Sequence, residues 1–475
     1  MGGDAQSAKF GELPLIGSIF VDRYEIKGVL GEGDRKRTYL AHDNKVDRQV
    51  ALSLIMPEAT AFDPEGTARE AHVLGHIGTH DNVVSLYDYE VDHSSGYEYM
   101  VFEYLSGGTL AKYLKDTGPL PLEVLLKFGR QLCRGLSHLH IKGLIHRDIS
   151  LANIWLDDRL TAHLGDFDSA VEIDEQDKRR PLTTNSYASP EELGGGPLGF
   201  QSDLFSLGKI FSALATGNSE FTDASYIRRH RPDLPTSFVD LVKSLLAAEP
   251  SDRPPSADAV LKWLNDVGKA RQVGGIIATG EGSDVEFKAS LLHPRDSLRP
   301  KLRKKVRQGL LTEKEAEEML AAKLSKEDSK DSPARNDIRK SLAFSVTKTV
   351  AAFLNSEGGT LLIGVEDDGF VVGVEDDFQD LGSFSHDVDG WLLRVRQILV
   401  DALSGDIWSS VRVSVVPHED HLVAVITCEK RNVATWHVGN VSDRDEHFYV
   451  RSTSSTEELK GSSLVAYIRQ HWNWY

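Results

Sequence analysis

Apolar residues recur every three or four positions at Leu125, Phe128, Leu132, Leu136 and Leu139. That period predicts a helix buried along one face. Upstream the pattern is β-like over residues 24–30 and again over 49–55, with Gly31 and Gly33 in the turn between strands. Two glycines at that spacing let the backbone come close to phosphates. Helical apolar patterns continue to Trp263 and Leu264. A Gly-rich stretch, 271–280, reads as a link. Further on, residues 349–369 read as helix, Gly358-Gly359 turn, strand and second turn. Val411, Val413 and Val415 alternate, and an apolar run at 423–426 follows a polar turn, which predicts a β-hairpin.

A chain of 475 residues predicts two or three domains. The net charge is −18, divided as −11 in residues 1–280 and −7 in 281–475. Neither part is basic, which excludes whole-surface attraction to nucleic acid and leaves only a local patch for such binding. Cys133 and Cys428 are far apart. They make neither a disulfide framework nor a zinc site and suit a reducing cytosol. Residues 1–10 lack a basic segment followed by an apolar run, so no signal peptide is expected. No stretch reaches the roughly 18 consecutive apolar residues of a membrane span. The expected location is cytoplasmic, and the oligomeric state is not set by the sequence.

The candidate chemistry sits just after the predicted helix. Asp148 and Asn153 are five residues apart, and Asp166-Phe167-Asp168 follows. A carboxylate that can accept a hydroxyl proton, with an amide and a second carboxylate able to hold Mg²⁺, makes a phosphoryl-transfer site. Residues 145–153 resemble the His-Arg-Asp-x-x-x-x-Asn catalytic loop of protein kinases, and residues 166–168 resemble their Asp-Phe-Gly. The resemblance implies a Ser/Thr kinase-like domain that uses ATP and Mg and acts on a protein substrate. It makes Asp148 the acceptor of the hydroxyl proton, and Asn153 and Asp166 the metal-holding pair. It places the phosphates beneath Gly31 and Gly33. It assigns adenine to the Glu103 carbonyl and the Leu105 amide.

The sequence departs from that pattern at several points. Ser53 stands where the family has a phosphate-binding lysine, Ser150 stands for a second one, and Asp168 replaces the glycine. Glu70 matches the helix glutamate that the first lysine pairs with. A buried carboxylate without a cation is costly, so Glu70 needs another partner. Lys36, at the place of the third loop glycine, is the expected one, an arrangement that resembles the with-no-lysine kinases. Arg147 is expected to receive a phosphate from the activation segment, on Thr183 or Ser186. Glu191 is expected to pair with Arg253, and Asp203 to cap the catalytic-loop backbone. The alternative reading is a nucleotide-binding pseudokinase that regulates the following module.

That module carries three blocks: residues 281–288, 349–369 and 448–455. Together they resemble the AlbA_2 domain of Schlafen proteins, an α/β domain often called DNA-binding. In Schlafen nucleases two glutamates and an aspartate cleave RNA; the matching residues are Glu281, Glu286 and Asp367, beside Lys288. These could hold a divalent metal and cleave a phosphodiester, or Glu286 and Lys288 could be an ion pair of a DNA- or RNA-binding strand. A charged insert, 293–338, holds a basic cluster from Arg299 to Arg307, the local candidate for phosphate contact. The expected fold class is α+β. A leader (1–20) precedes a two-lobed protein kinase-like fold (21–270), and the link leads to an α/β Schlafen AlbA_2-type domain (281–475).

Overall fold

The computed structural model describes residues 13–33, 35–56, 66–173, 186–218, 220, 223–293, 305, 312, 315, 333–418, 420–438, 445–452 and 455–472. Thr183, Thr184 and the basic cluster other than Lys305 lie outside these residues. The chain divides into two compact units, Met1–Gly268 and Lys269–Tyr475.

The first unit begins with a six-stranded antiparallel sheet. Its strands are β1 (Ile19–Phe20), β2 (Tyr24–Glu32), β3 (Lys36–Asp43), β4 (Arg48–Ile55), β5 (Leu86–Val91) and β6 (Glu98–Glu103). They lie in the order β1-β2-β3-β4-β6-β5. Alternating residues bury one face: Tyr24, Ile26, Tyr39, Ala41, Val50 and Leu52 share a core. The opposite face of β3 and β4 carries Lys36, Thr38 and Ser53. Thr38 lies directly across from Ser53, and Lys36 across from Ile55. Lys36 and Ser53 are therefore diagonal neighbours on one face. Helix α1 (Gly66–Ile77) supplies Glu70.

The predicted helix is α2 (Leu122–Ile141), and its five apolar repeat positions are all fully buried. It packs in one core with α3 (Phe200–Thr216). Between them in sequence, the short strands β7 (Ile154–Leu156) and β8 (Ala162–Leu164) pair antiparallel and carry the loops at Asn153 and Asp166. Residues 271–279, expected as a link, are instead the last turns of α4 (Ala257–Thr279). Apolar residues recur between the glycines there, and Val273 is buried, with Ile276 and Ile277 packed against the same second-unit core.

The second unit has a four-stranded mixed sheet made of β9 (Val285–Lys288), β10 (Gly359–Ile363), β11 (Val411–His418) and β12 (His421–Cys428). The order is β9-β10-β12-β11. β9 and β10 are parallel, and helix α5 (Pro333–Asn355) lies between them in sequence. The expected hairpin is β11–β12, paired from Val411–Cys428 to His418–His421. The Gly358-Gly359 turn is a steric necessity. Gly358 has φ +87°, and a Cβ on Gly359 would lie 2.3 Å from the Phe353 ring. Among the described residues, no helix is long and apolar enough to cross a membrane.

Candidate active site

A cleft of about 450 Å³ opens in the first unit. Leu30, Ala51, Val84, Phe102 and Trp155 give it apolar walls, and Lys36, Glu70, Asn153 and Asp166 give it a polar end. Lys36 is the centre of that end. Its Nζ lies 3.1 Å from Glu70 Oε1 and 3.0 Å from Asp166 Oδ1. Ser53 is too short to reach either. Its hydroxyl is instead within 2.6 Å of the Thr38 hydroxyl. The cation missing from β4 is thus supplied by the neighbouring strand, on the same face.

The electrostatics follow from burial. Only 5% of the Glu70 side chain is exposed. Burial pushes its carboxyl above the ordinary value, against the pull of Lys36. Burial also works to lower the Lys36 ammonium, but the Glu70 and Asp166 carboxylates together hold it above its usual value. Asp166 ends up lowered, because Lys36 outweighs its burial.

Gly31 and Gly33 sit at the turn between β2 and β3, where the Gly33 N–H donates to the Lys36 carbonyl (3.0 Å). A Cβ on Gly31 would meet nothing within 4 Å, so the fold of the turn does not itself call for glycine there. Glu103 and Leu105 also line the cleft. The Glu103 Oε1 accepts from the Ser85 N–H (2.6 Å).

Asp148 lines an adjoining depression with Ser150, Ser186, Tyr187 and Lys115. Asn153 joins the two spaces. It lines the cleft, and its Nδ2 donates to Asp148 Oδ2 (2.8 Å) and to the Asp148 carbonyl (2.9 Å). That leaves Asn153 Oδ1, with the Asp166 carboxylate, as oxygen donors suited to a hard divalent cation. Burial, with Asp166 nearby, raises the Asp148 carboxyl above its ordinary value, against the opposing pull of His146 and Asn153. A raised carboxylate is a better proton acceptor.

The loop is strained and held. Arg147 (φ 68°) and Asp166 (φ 62°) occupy the left-handed region, at a cost of about 1–3 kcal/mol each. The fully buried Asp203, on α3, accepts from the N–H groups of His146 (3.0 Å) and Arg147 (2.9 Å), and contacts His140 Nε2 (2.9 Å). Glu191 pairs with Arg253 through two contacts, at 2.7 and 2.9 Å. Both pairings were expected.

Arg147 already has a partner: its Nε donates to Glu192 Oε1 (2.9 Å), and both side chains are buried. No spacing rule pointed to Glu192, which adjoins the Glu191 of the familiar pair. In the second unit, Glu281, Glu286 and Asp367 do not form a metal-holding group. No cluster of three or more His, Cys, Asp or Glu suited to a metal occurs among the described residues. Glu281 Oε1 accepts the Phe287 N–H (2.7 Å). Glu286 lies between Lys288 (2.5 Å) and Arg451 (2.6 Å). Asp367 is exposed in the turn after β10. Arg451, which sequence reasoning missed, also donates to the carbonyls of Gly282 and Val285 (2.8 and 3.2 Å).

A lysine bridging two carboxylates at one end of an apolar cleft, above a strained Asp/Asn loop, defines a two-lobed nucleotide-cleft protein of the kinase type. The chain belongs to the protein kinase family: the description "Protein kinase domain" matches residues 24–264. A second description, "Schlafen, AlbA_2", matches residues 322–460. That match starts within the expected charged insert and leaves out the Glu281–Lys288 block.

Among curated proteins, the chain is similar to the DNA damage-responsive serine/threonine-protein kinase RqkA of Deinococcus radiodurans. They share 29% identity over 309 residues, 58% of this chain and 46% of that protein. It is also similar to the serine/threonine-protein kinase PrkC of Bacillus subtilis, with 30% identity over 264 residues, 51% of this chain and 40% of that protein. Serine/threonine-protein kinase PknB of Mycobacterium leprae is 31% identical over 209 residues, 42% of this chain and 33% of that protein. The chain thus spans less than half the length of each of these relatives.

Proposed function

We propose that the first unit transfers the γ-phosphate of ATP to a serine or threonine hydroxyl of a protein substrate. The observation that carries this reading is the Lys36 bridge to Glu70 and Asp166. The relocated cation keeps the phosphate end of the cleft equipped, with Asn153 and Asp166 beside it in the same lining.

In this reading Lys36 binds the α- and β-phosphates and Glu70 orients it. Gly31 and Gly33 lay bare backbone beside the phosphates. The Glu103 carbonyl and Leu105 amide bond the adenine edge. Asp148 aligns the acceptor hydroxyl and takes its proton. Asn153 Oδ1 and Asp166 hold a divalent cation. Their all-oxygen chemistry, and the phosphates that would complete the shell, favour Mg²⁺. The cation supplies charge neutralisation between the phosphates.

The second unit is proposed to contact nucleic acid without cutting it. The AlbA_2 likeness supports contact, and the salt-bridged Glu286 speaks against cleavage. RqkA's description as DNA damage-responsive suits such a pairing of modules.

Transfer of labelled γ-phosphate by wild type, Lys36→Met and Asp148→Ala tests the kinase reading. Transfer lost in both variants supports it. ATP binding without transfer by wild type selects a pseudokinase instead. For the second unit, a gel shift with DNA and RNA across a salt series is the test, and absence of any shift at low salt overturns contact.

A further inference from the structure

The glycine turn carries a second cation that the reading above leaves unused. Arg35 Nη1 lies 3.1 Å from Asp168 Oδ2. Asp168 is the residue that stands where kinases have glycine, two positions beyond the metal-holding Asp166. Arg35 immediately precedes Lys36. The pair thus ties the glycine turn to the segment just after Asp166.

It is not there to hold the fold together. The side chains keep 43% and 26% of their surface exposed, and ion pairs of that kind contribute little to stability. The backbone of Arg35 is independently fixed, since its carbonyl accepts the Met56 N–H (2.8 Å). Only the side chain is free to choose a partner, and Asp168 chooses for it. Arg35 adjoins Lys36 and Asp168 adjoins Phe167, and both of those neighbours line the cleft, which places the pair at that edge of it.

That end is short of cations. Lys36 is committed to Glu70 and Asp166, and Ser53 and Ser150 replace two lysines. A triphosphate in the cleft would meet the Asp166 carboxylate, with Asp168 two residues on. A guanidinium presents five N–H donors in a planar fork, so it can keep one carboxylate and still face a phosphate; an ammonium is a point charge.

We propose that Arg35 binds the terminal phosphate of the bound nucleotide and that Asp168 is the positioning residue that aims it there. Asp168 is then half of a clasp rather than an added repulsion. This inference rests on the ATP-dependent reading of the same cleft.

Calorimetric binding of ATP and ADP, each with Mg²⁺, tests it in the full chain. Loss of a charge-assisted bond to the γ-phosphate predicts that Arg35→Met weakens ATP about tenfold and ADP less than about twofold. Asp168→Asn weakens ATP in the same selective way by a smaller factor. It has no further effect in the Arg35→Met background, because it acts through Arg35. Equal loss of ATP and ADP in Arg35→Met, or an Asp168→Asn effect undiminished in that background, overturns the clasp. Selective loss in a protein that transfers no phosphate supports the clasp and sinks only the kinase reading. Wild type that binds neither nucleotide overturns both.

Discussion

Replacing Lys36 by Met separates the role of its charge from that of its stem. The thioether side chain keeps most of the apolar packing, so what is lost is the cation between Glu70 and Asp166. Glu70 is 5% exposed and would be left as a buried carboxylate with only carboxylates for company. Removing one partner of a buried pair costs about 3–5 kcal/mol. Lys36 keeps 26% of its side-chain surface, which moves the expected loss to the low end, about 3 kcal/mol.

The loss depends on pH. Burial and Asp166 already raise the Glu70 carboxyl from its ordinary 4.5, and without Lys36 nothing comparable opposes them. A folded-state pKa above the unfolded value means that the folded state binds more protons, so stability falls as pH rises through the folded pKa. Urea denaturation should therefore show Lys36→Met close to wild type near pH 4.5 and about 3 kcal/mol weaker at pH 8. The double variant Lys36→Met/Glu70→Gln removes the stranded charge and should recover most of that stability while still transferring no phosphate. Equal stability of Lys36→Met and wild type across this range, with unchanged turnover, would refute the bridge as the organising contact of the site.

Four further outcomes follow from other contacts. Glu191, held at about 2 against its ordinary 4.5 by Arg253 and Ser202 despite its burial, contributes stability that is present above pH 4.5 and lost as pH falls towards 2. That amounts to roughly 3 kcal/mol, and Glu191→Gln should abolish this acid limb in denaturation curves. Asp203→Asn keeps the shape but weakens the grip on His146 and Arg147. It should cost about 2–3 kcal/mol and lower kcat more than the KM for ATP, whereas an unchanged kcat would show that the loop holds itself. Because Glu192 already neutralises Arg147, phosphatase treatment should leave transfer within about twofold, and a larger drop would mean that a phosphate displaces Glu192. Glu286→Ala strands Arg451 and Lys288 and should destabilise the second unit by about 2–4 kcal/mol. Metal-dependent cleavage lost at unchanged stability would instead restore the nuclease site.

The sequence was most legible where chemistry and spacing coincide. Asp148, Asn153 and Asp166 stand in types and intervals that pointed to one place in the fold, and Asn153 does join Asp148 there; α2 announces itself by period alone. Glu70 was legible through an energetic argument, because a buried carboxylate must have a cation and Lys36 was the candidate on the facing strand. Arg35–Asp168 and Arg147–Glu192 were not, since each joins residues from distant loops and no local pattern records the pairing. The carboxylates of the second unit misled for a related reason. Glu281 and Glu286 fit a metal-ligand pattern in type, but a carboxylate before or within a strand serves as well to accept a backbone N–H or to neutralise an arginine. The glycines of residues 271–280 looked like a break because helix propensity is weak there, and packing overrode it.

Helix α4 sets a rule for dissecting the chain. Val260, Leu264 and Val267 belong to the core of the first unit, and Val273, Ile276 and Ile277 to a core of the second. Discarding residues 271–280 as a link, as composition invites, would spare the kinase unit. It would strip from the other a side chain whose burial is worth about 1.5–3 kcal/mol, and its two isoleucine neighbours as well. The second unit made alone therefore needs the end of this helix. A fragment of the AlbA_2 unit that begins at residue 281 is expected to aggregate, and its failure to bind nucleic acid would say nothing about the intact chain.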